Sequence, residues 1–338
     1  MYVDNQIVHN LMNQAHNNFA IFDGFAKAFS VLLKHDNIAC SVSGGKDSDI
    51  MLDIITKLDP ERKVRYIWFN TGLEYQATKR HLDYLEQKYG IKIERIPPVK
   101  SIPASCKEYG QPFLSKYVSG NIYSLQRNGF KWEDKPYEEL IAEYPKCSSA
   151  IKWWCNKYRN VDRNFAYSIY DISYNKYLKE FLVAHPPWFK ISKNCCTYAK
   201  KKVSKKFVKD NDIDLMIVGI RKAEGGIRSA QYKTCFSPSD KPDGCDYYRP
   251  LFWYTGDDER EYEEIFEVTH SDCYVVWGMV RTGCVGCPFN KNLFKDLEII
   301  QTYEPQIYKA ATTIFKDSYE YTRMYKEFVE EQKSKERR

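Results

Sequence analysis

The chain has 338 residues, 43% of them hydrophobic and 28% charged, with a formal net charge of +6. That balance excludes a low-hydrophobicity disordered chain, and no apolar run approaches the roughly 18–20 residues of a membrane span, so no membrane partner is expected. The modest positive charge permits an anionic partner without demanding one.

The first residues, Met1-Tyr2-Val3-Asp4-Asn5-Gln6, lack the basic-then-apolar pattern of a secretory signal, which points to the cytoplasm. Eleven cysteines are many for a reducing compartment, where clustered thiols serve metal or redox chemistry rather than disulfides.

In chain order, residues up to about Leu33 read as helical, with Ile7, Leu11, Phe19, Ile21, Phe25 and Phe29 as an imperfect apolar stripe. Asn37 to Val42 is a short apolar run and reads as a buried strand. Ile50, Met51, Ile54, Ile55 and Leu58 then recur at helical spacing, and Asp59-Pro60 should stop that helix. Val64 to Phe69 reads as a second strand, 75–89 as a helix ended by Gly90, and Ile91 to Ile96 as a third strand. Leu215 to Gly219 is another buried strand, preceded by a lysine-rich helix from about Thr197.

Strands alternating with helices predict an α/β fold with a mostly parallel, five-stranded sheet flanked by helices. The stretch of about 101–190, rich in Tyr, Trp and Lys, breaks the rhythm and reads as a mainly helical insertion. The expected organisation is therefore an N-terminal helical segment over 1–36, a nucleotide-binding α/β domain over 37–290 carrying that insertion, and C-terminal helices over 291–338.

Between the first strand and its helix stands Ser43-Gly44-Gly45-Lys46-Asp47-Ser48. Two glycines let the backbone approach a phosphate closely, and the N–H groups of the following helix then face that anion. Ser43 and Ser48 add hydroxyl donors and Lys46 a charge. The spacing is not that of a Walker A loop, whose glycines stand four residues apart before the lysine.

The hexapeptide in its strand–loop–helix setting resembles the PP-loop of the ATP-pyrophosphatase superfamily, the adenine nucleotide alpha hydrolase-like fold. Three further stretches are similar to the adenylyl-sulfate and phosphoadenylyl-sulfate reductases of that superfamily. Asn70-Thr71-Gly72-Leu73-Glu74 looks like their acid-Thr-Gly turn, with Asn70 in the acid's place. The segment from Gly219 through Arg221 and Glu224 to Arg228 is similar to their G-x-R-x-x-E-x-x-x-R segment. Arg249-Pro250-Leu251-Phe252-Trp253 matches their R-P-L stretch.

The resemblance implies ATP or adenylyl sulfate as ligand, with Ser43, Gly44, Gly45, Lys46, Asp47, Ser48, Thr71, Gly72, Gly219, Arg221, Glu224 and Arg228 around it. Lys46, Asp47, Arg221 and Arg228 would act at the phosphates, the arginines through two-pronged contacts, and Mg2+ would shield the pyrophosphate near Asp47.

Cys195-Cys196 and Cys284-x-x-Cys287 together offer a four-sulfur metal site. A cubane gives neighbouring cysteines separate irons, whereas a single zinc fits adjacent thiols less easily; zinc and buried thiols are the alternatives. The pattern resembles the 4Fe–4S site of the adenylyl-sulfate reductases, and Lys200 falls where they keep a lysine near the cluster, implying a catalytic role for it. Cys40 reads as core, and the six histidines show no ligand-like spacing.

Those reductases attack sulfur with a C-terminal cysteine, and no cysteine follows Cys287 here. The expected function is therefore ATP-dependent adenylation coupled to sulfur transfer through the cluster. A nucleic acid is a candidate acceptor, alongside a sulfur- or electron-donor protein. Reduction of an adenylyl sulfate to sulfite is the alternative, and a nucleotide sensor with a structural metal the third. The lysines 200, 201, 202, 205 and 206 read either as a phosphate-backbone contact or as a solvated helix face.

Overall fold

The computed structural model describes residues 5–15, 17–158, 167–225, 231–241 and 244–337. The chain divides into two compact units, Met1–Val99 with Ala199–Cys284, and Lys100–Tyr198 with Val285–Arg338. Among the described residues no helix is long and apolar enough to cross a membrane.

The first unit is built on a six-stranded sheet of order β3-β2-β1-β4-β6-β5. Its strands are β1 (Ile38–Ser41), β2 (Arg65–Phe69), β3 (Ile93–Ile96), β4 (Leu215–Val218), β5 (Phe236–Ser237) and β6 (Asp246–Tyr248). All neighbours pair in parallel except β5, which runs antiparallel to β6. The expected mostly parallel sheet is present, with six strands rather than five; β5 and β6 were not among the strands read from the sequence. At two residues, β5 is too short for an alternating pattern to show in sequence.

Ile38, Cys40, Leu215 and Ile217 pack into one buried cluster and Ala39, Ile67 and Met216 into another. The central strands are thus covered on both faces, as a parallel sheet requires. Strand order reverses between β1 and β4, and sheets of this kind take ligands in the crevice outside the carboxyl ends at such a switch point.

The helix Lys46–Leu58 leaves directly from β1 and buries Ile50, Met51, Ile54, Ile55 and Leu58. It stops at Asp59, whose carboxylate accepts the backbone N–H groups of Lys63 and Val64 at 2.9 Å each and turns the chain into β2. The helix Gln76–Tyr89 ends at Gly90 with φ of 59°, a left-handed cap that glycine adopts without strain. The N-terminal segment is two helices, Asn5–Gln14 and Phe19–Leu32. Asn18 divides them because its side chain accepts from the N–H groups of Ala20 and Ile21 and so starts a new helix.

The second unit is helical. Its helices include Ile102–Tyr109, Lys116–Arg127, Ser148–Trp154 and Leu178–Ala184, then Leu293–Tyr303, Pro305–Ile314 and Lys316–Glu336. Its core cluster is rich in aromatic residues, with Phe113, Trp153, Trp154, Phe181 and Tyr321 fully buried.

Candidate functional site

The loop Ser43–Ser48 lies at the carboxyl end of β1, on the switch-point edge. Gly44 has φ of +68°, and a Cβ there would stand 2.8 Å from Cγ2 of Thr78, so glycine is required. The loop is tied to its helix by Ser43 N–H donating to Ser48 Oγ at 2.7 Å and Asp49 N–H to the Gly45 carbonyl at 3.0 Å. The first-turn N–H groups have no carbonyl one turn before them within the helix, which makes this end suited to an anion. Lys46 adds a cation, its Nζ held 5.6 Å from the centroid of the Tyr274 ring.

Parallel pairing of β4 with β1 carries Gly219 and Arg221 to the same edge. A Cβ on Gly219 would come within 3.3 Å of the Asp47 carbonyl, so the two loops approach backbone to backbone. Arg221 Nε lies 3.3 Å from Oδ1 of Asp47 and 2.8 Å from Oε1 of Glu259, on the helix Gly256–Phe266. Burial first, then the hydrogen bond and charge of Asp47, push Glu259 up to about 8, against the pull of Arg221. Glu224 accepts from the Arg221 N–H at 3.3 Å and faces Arg281. Arg228 lies outside the described residues.

Beneath the loop, fully buried Asp49 accepts from His81 at 3.0 Å and His270 at 2.8 Å through Oδ2. The other ring nitrogen of His270 meets Glu263 at 2.8 Å. Burial alone would lower the His270 pKa, but its bonds to the two carboxylates outweigh that and push it up to about 9. The tyrosine hydroxyl of Tyr274 pairs with Thr282 Oγ1 at 2.6 Å, and a Cβ on Gly45 would stand 3.2 Å from it.

After β2, Asn70 Oδ1 accepts from the Gly72 N–H at 2.8 Å, and Gly72 takes φ of +80°. Thr71 donates to Glu74 from both N–H (3.1 Å) and hydroxyl (2.5 Å). Burial raises the Glu74 pKa, and the charge of Lys200 pulls the other way. Lys200 is exposed, as are Lys201, Lys202, Lys205 and Lys206, while Val203 and Phe207 of the same stretch are buried.

In the second unit the thiol of Cys195 hydrogen-bonds with Cys106 and Cys196 and faces Cys287. Cys195 sits on the short helix Asn194–Cys196, which opens into a π-helical turn, Thr197–Lys201. Gly286, with φ of +57°, forms the Cys-x-x-Cys turn, and its carbonyl accepts from the Tyr319 hydroxyl at 2.5 Å. Cys284, the last residue of the first unit, precedes this turn. An all-sulfur donor set of this kind suits an iron–sulfur cluster. Among the described residues no group of three or more His, Cys, Asp or Glu side chains is placed to hold a metal ion.

Glu259, His270, Tyr274 and Cys106 escaped the sequence reading. A carboxylate on a charged helix and scattered single residues carry no spacing signal. Cys40 is core, fully buried as expected.

Residues 37–124 match the family model of the phosphoadenosine phosphosulfate reductase domain. An uncharacterized protein of Methanocaldococcus jannaschii is 29% identical over 107 residues, 32% of this chain and 22% of that protein, so the match spans about a fifth of that relative's length. Among solved structures, the phosphoadenylyl-sulfate reductase from Candida auris in its phosphate complex is similar at 12% identity and a TM-score of 0.44, covering 84% of this chain and 97% of that one. The U34-tRNA thiolase NcsA from Methanococcus maripaludis with its 4Fe–4S cluster is similar at 13% identity and a TM-score of 0.39, covering 92% and 80%. The segment that carries β1, the glycine loop, β2 and β3 is thus the part of the chain that matches the phosphoadenosine phosphosulfate reductase domain model.

Proposed function

We propose that the chain binds ATP or an adenylate at the Ser43–Ser48 loop, acts at its α-phosphate, and couples that adenylation to sulfur transfer. The reading rests above all on Arg221, which stands 3.3 Å from Asp47 of the loop although far from it in sequence. A second cation at the glycine loop is what a polyphosphate needs, and Arg suits its oxygens geometrically.

In this reading Gly44, Gly45, Ser43 and Ser48 shape the phosphate cradle. Lys46, Arg221 and Arg228 bind phosphate oxygens, and Asp47 orients Mg2+. Thr71, Gly72, Gly219 and Glu224 fix the loops that border the nucleotide. Adenylation turns a poor oxygen leaving group into AMP. Cys195, Cys196, Cys284 and Cys287 would hold a 4Fe–4S cluster, which when bound supplies the sulfur-handling chemistry, with Lys200 as a nearby charge. The exposed lysines 201, 202, 205 and 206 suit a nucleic acid acceptor, and a sulfur-donor or electron-donor protein in the cytoplasm would complete the system.

The test is anaerobic purification with iron and acid-labile sulfide analysis, followed by incubation with ATP. About four irons and four sulfides per chain, with pyrophosphate released from ATP in the absence of any sulfate ester, are expected. Stoichiometric zinc or no metal removes the cluster from the reading. Sulfite from adenylyl sulfate and thioredoxin establishes reduction instead, and tight nucleotide binding without turnover establishes a sensor.

A further inference from the structure

The strap Ser271–Thr282 follows His270 in the chain and brings two more side chains, Tyr274 and Thr282, to the glycine loop. Ser271 starts it by capping the short helix Asp272–Val275, its side chain accepting from the Cys273 N–H at 3.3 Å. Gly278, with φ of +66°, turns the chain back, and the Met279 N–H donates to the Cys273 carbonyl at 2.9 Å. Cys273 and Met279 are both buried, which fixes the turn. The returning arm sets Thr282 against Tyr274: their hydroxyls lie 2.6 Å apart, and the Thr282 N–H donates to the tyrosine oxygen at 3.1 Å. Gly45 shows what these groups surround. Its φ of −99° suits any residue, yet a Cβ there would stand 3.2 Å from the Tyr274 hydroxyl, 3.4 Å from Ser43 Oγ and 3.7 Å from Thr282 Oγ1. Three hydroxyl oxygens thus line the space beside the second loop glycine. Among the described residues no side chain caps the helix Lys46–Leu58 there, which leaves its first N–H groups for an anion. The Lys46 ammonium, 5.6 Å from the centroid of the Tyr274 ring, is within range of a cation–π attraction.

We propose that the strap is a wall of the phosphate cradle: the Thr282 hydroxyl binds a phosphate oxygen, and Tyr274 positions both Thr282 and Lys46. This rests on the reading of the loop as a nucleotide site. The tyrosine oxygen already accepts the Thr282 N–H, so its own proton goes to Thr282 Oγ1. The threonine proton is then left to donate to an anion, because a hydroxyl both accepts and donates. Ser43 Oγ is in the same position: it accepts from the Gly45 N–H at 3.4 Å and keeps its proton for the ligand. The ring of Tyr274 meanwhile restrains a long, flexible ammonium side chain beside the loop, so that less freedom is lost when phosphate binds. Glycine at position 45 keeps the space between these hydroxyls open for a phosphate oxygen, where a methyl group would fill it.

The experiment measures ATP and adenosine affinity by calorimetric and competition titration. It compares wild type with Thr282→Val, Thr282→Ser, Tyr274→Phe and Tyr274→Leu, the last two also in a Lys46→Ala background. Thr282→Val should bind ATP about 3- to 10-fold more weakly, the loss of one ordinary hydrogen bond. Thr282→Ser, which keeps the hydroxyl, should recover most of that loss. Adenosine, which carries no phosphate, should bind every variant as it binds wild type. Tyr274→Leu should lose more ATP affinity than Tyr274→Phe, and the difference should vanish without Lys46, because the ring acts through the ammonium. If Tyr274→Leu does not fold, Tyr274→Met takes its place. Unchanged ATP affinity in Thr282→Val and in the ringless variant overturns the proposal. Tighter ATP binding also overturns it and makes the strap a plug over the loop. Equal losses for ATP and adenosine overturn it as well, leaving the strap a purely structural role. A wild type that binds no nucleotide removes the nucleotide reading together with the proposal, whereas ATP binding by wild type beside silent variants removes the proposal alone.

Discussion

Arg221 Nε stands 2.8 Å from Oε1 of Glu259, close enough for an ion pair, yet neither atom makes an aligned hydrogen bond among the described residues. The guanidinium therefore meets two carboxylates at the loop, Asp47 at 3.3 Å and Glu259 at 2.8 Å. Glu259 titrates at about 8, raised by burial and by Asp47. Below that pH it is neutral and the site carries more net positive charge; above it, the added carboxylate repels phosphate and grips Arg221. ATP affinity should therefore fall as pH rises through about 8, and Glu259→Gln should flatten that step. Calorimetric titrations of both proteins between pH 6.5 and 9 measure it.

Arg221 itself should matter more than any other side chain at the loop. A hydrogen bond to a charged group contributes about 1.5–3 kcal/mol, so Arg221→Ala should weaken ATP binding by roughly 10- to 100-fold. Arg221→Lys should recover only part, because an ammonium lacks the planar fork. Equal affinity in Arg221→Ala would remove this residue from the site.

The His270 network gives a stability profile with a definite sign. Its folded pKa of about 9 lies above the ordinary 6.5. The protonated ring between Asp49 and Glu263 therefore contributes stability that is complete below 6.5 and lost as pH rises through about 9. His81 shares Asp49, and Lys46 adds a cation facing Glu263. The melting temperature should drop across that window in wild type, and the drop should be smaller in His270→Gln, which loses the titrating charge.

Two glycines let the nucleotide reading and the cluster reading be tested separately. Gly44→Ala forces a left-handed residue, a cost of about 1–2 kcal/mol, and sets its Cβ 2.8 Å from Thr78 Cγ2. It should abolish nucleotide binding while iron content stays. Gly286→Ala would put a Cβ 2.3 Å from the Tyr319 hydroxyl at φ of +57°, and should empty the cluster while nucleotide binding persists. Parallel loss of both properties in either variant would contradict this division.

Much of the nucleotide half was legible from sequence because its signals are local. The apolar runs of β1, β2 and β4, the Asp59-Pro60 stop and the Gly90 cap each act within a few residues, and the structure follows them closely. The N-terminal segment reads as helical, and where it divides into two helices shows only once the Asn18 side chain is seen capping.

By itself, the sequence determined the glycine loop, the residues after β4 and the two cysteine pairs, because backbone geometry and chain adjacency suffice to make each of them. Only the tertiary structure decided which distant side chains complete these motifs. Glu259 sits on a helix whose charges look solvated, and His81 and His270 reach one carboxylate from distant parts of the chain. Such meetings depend on strand order and helix packing, which bring together residues that no spacing along the chain relates.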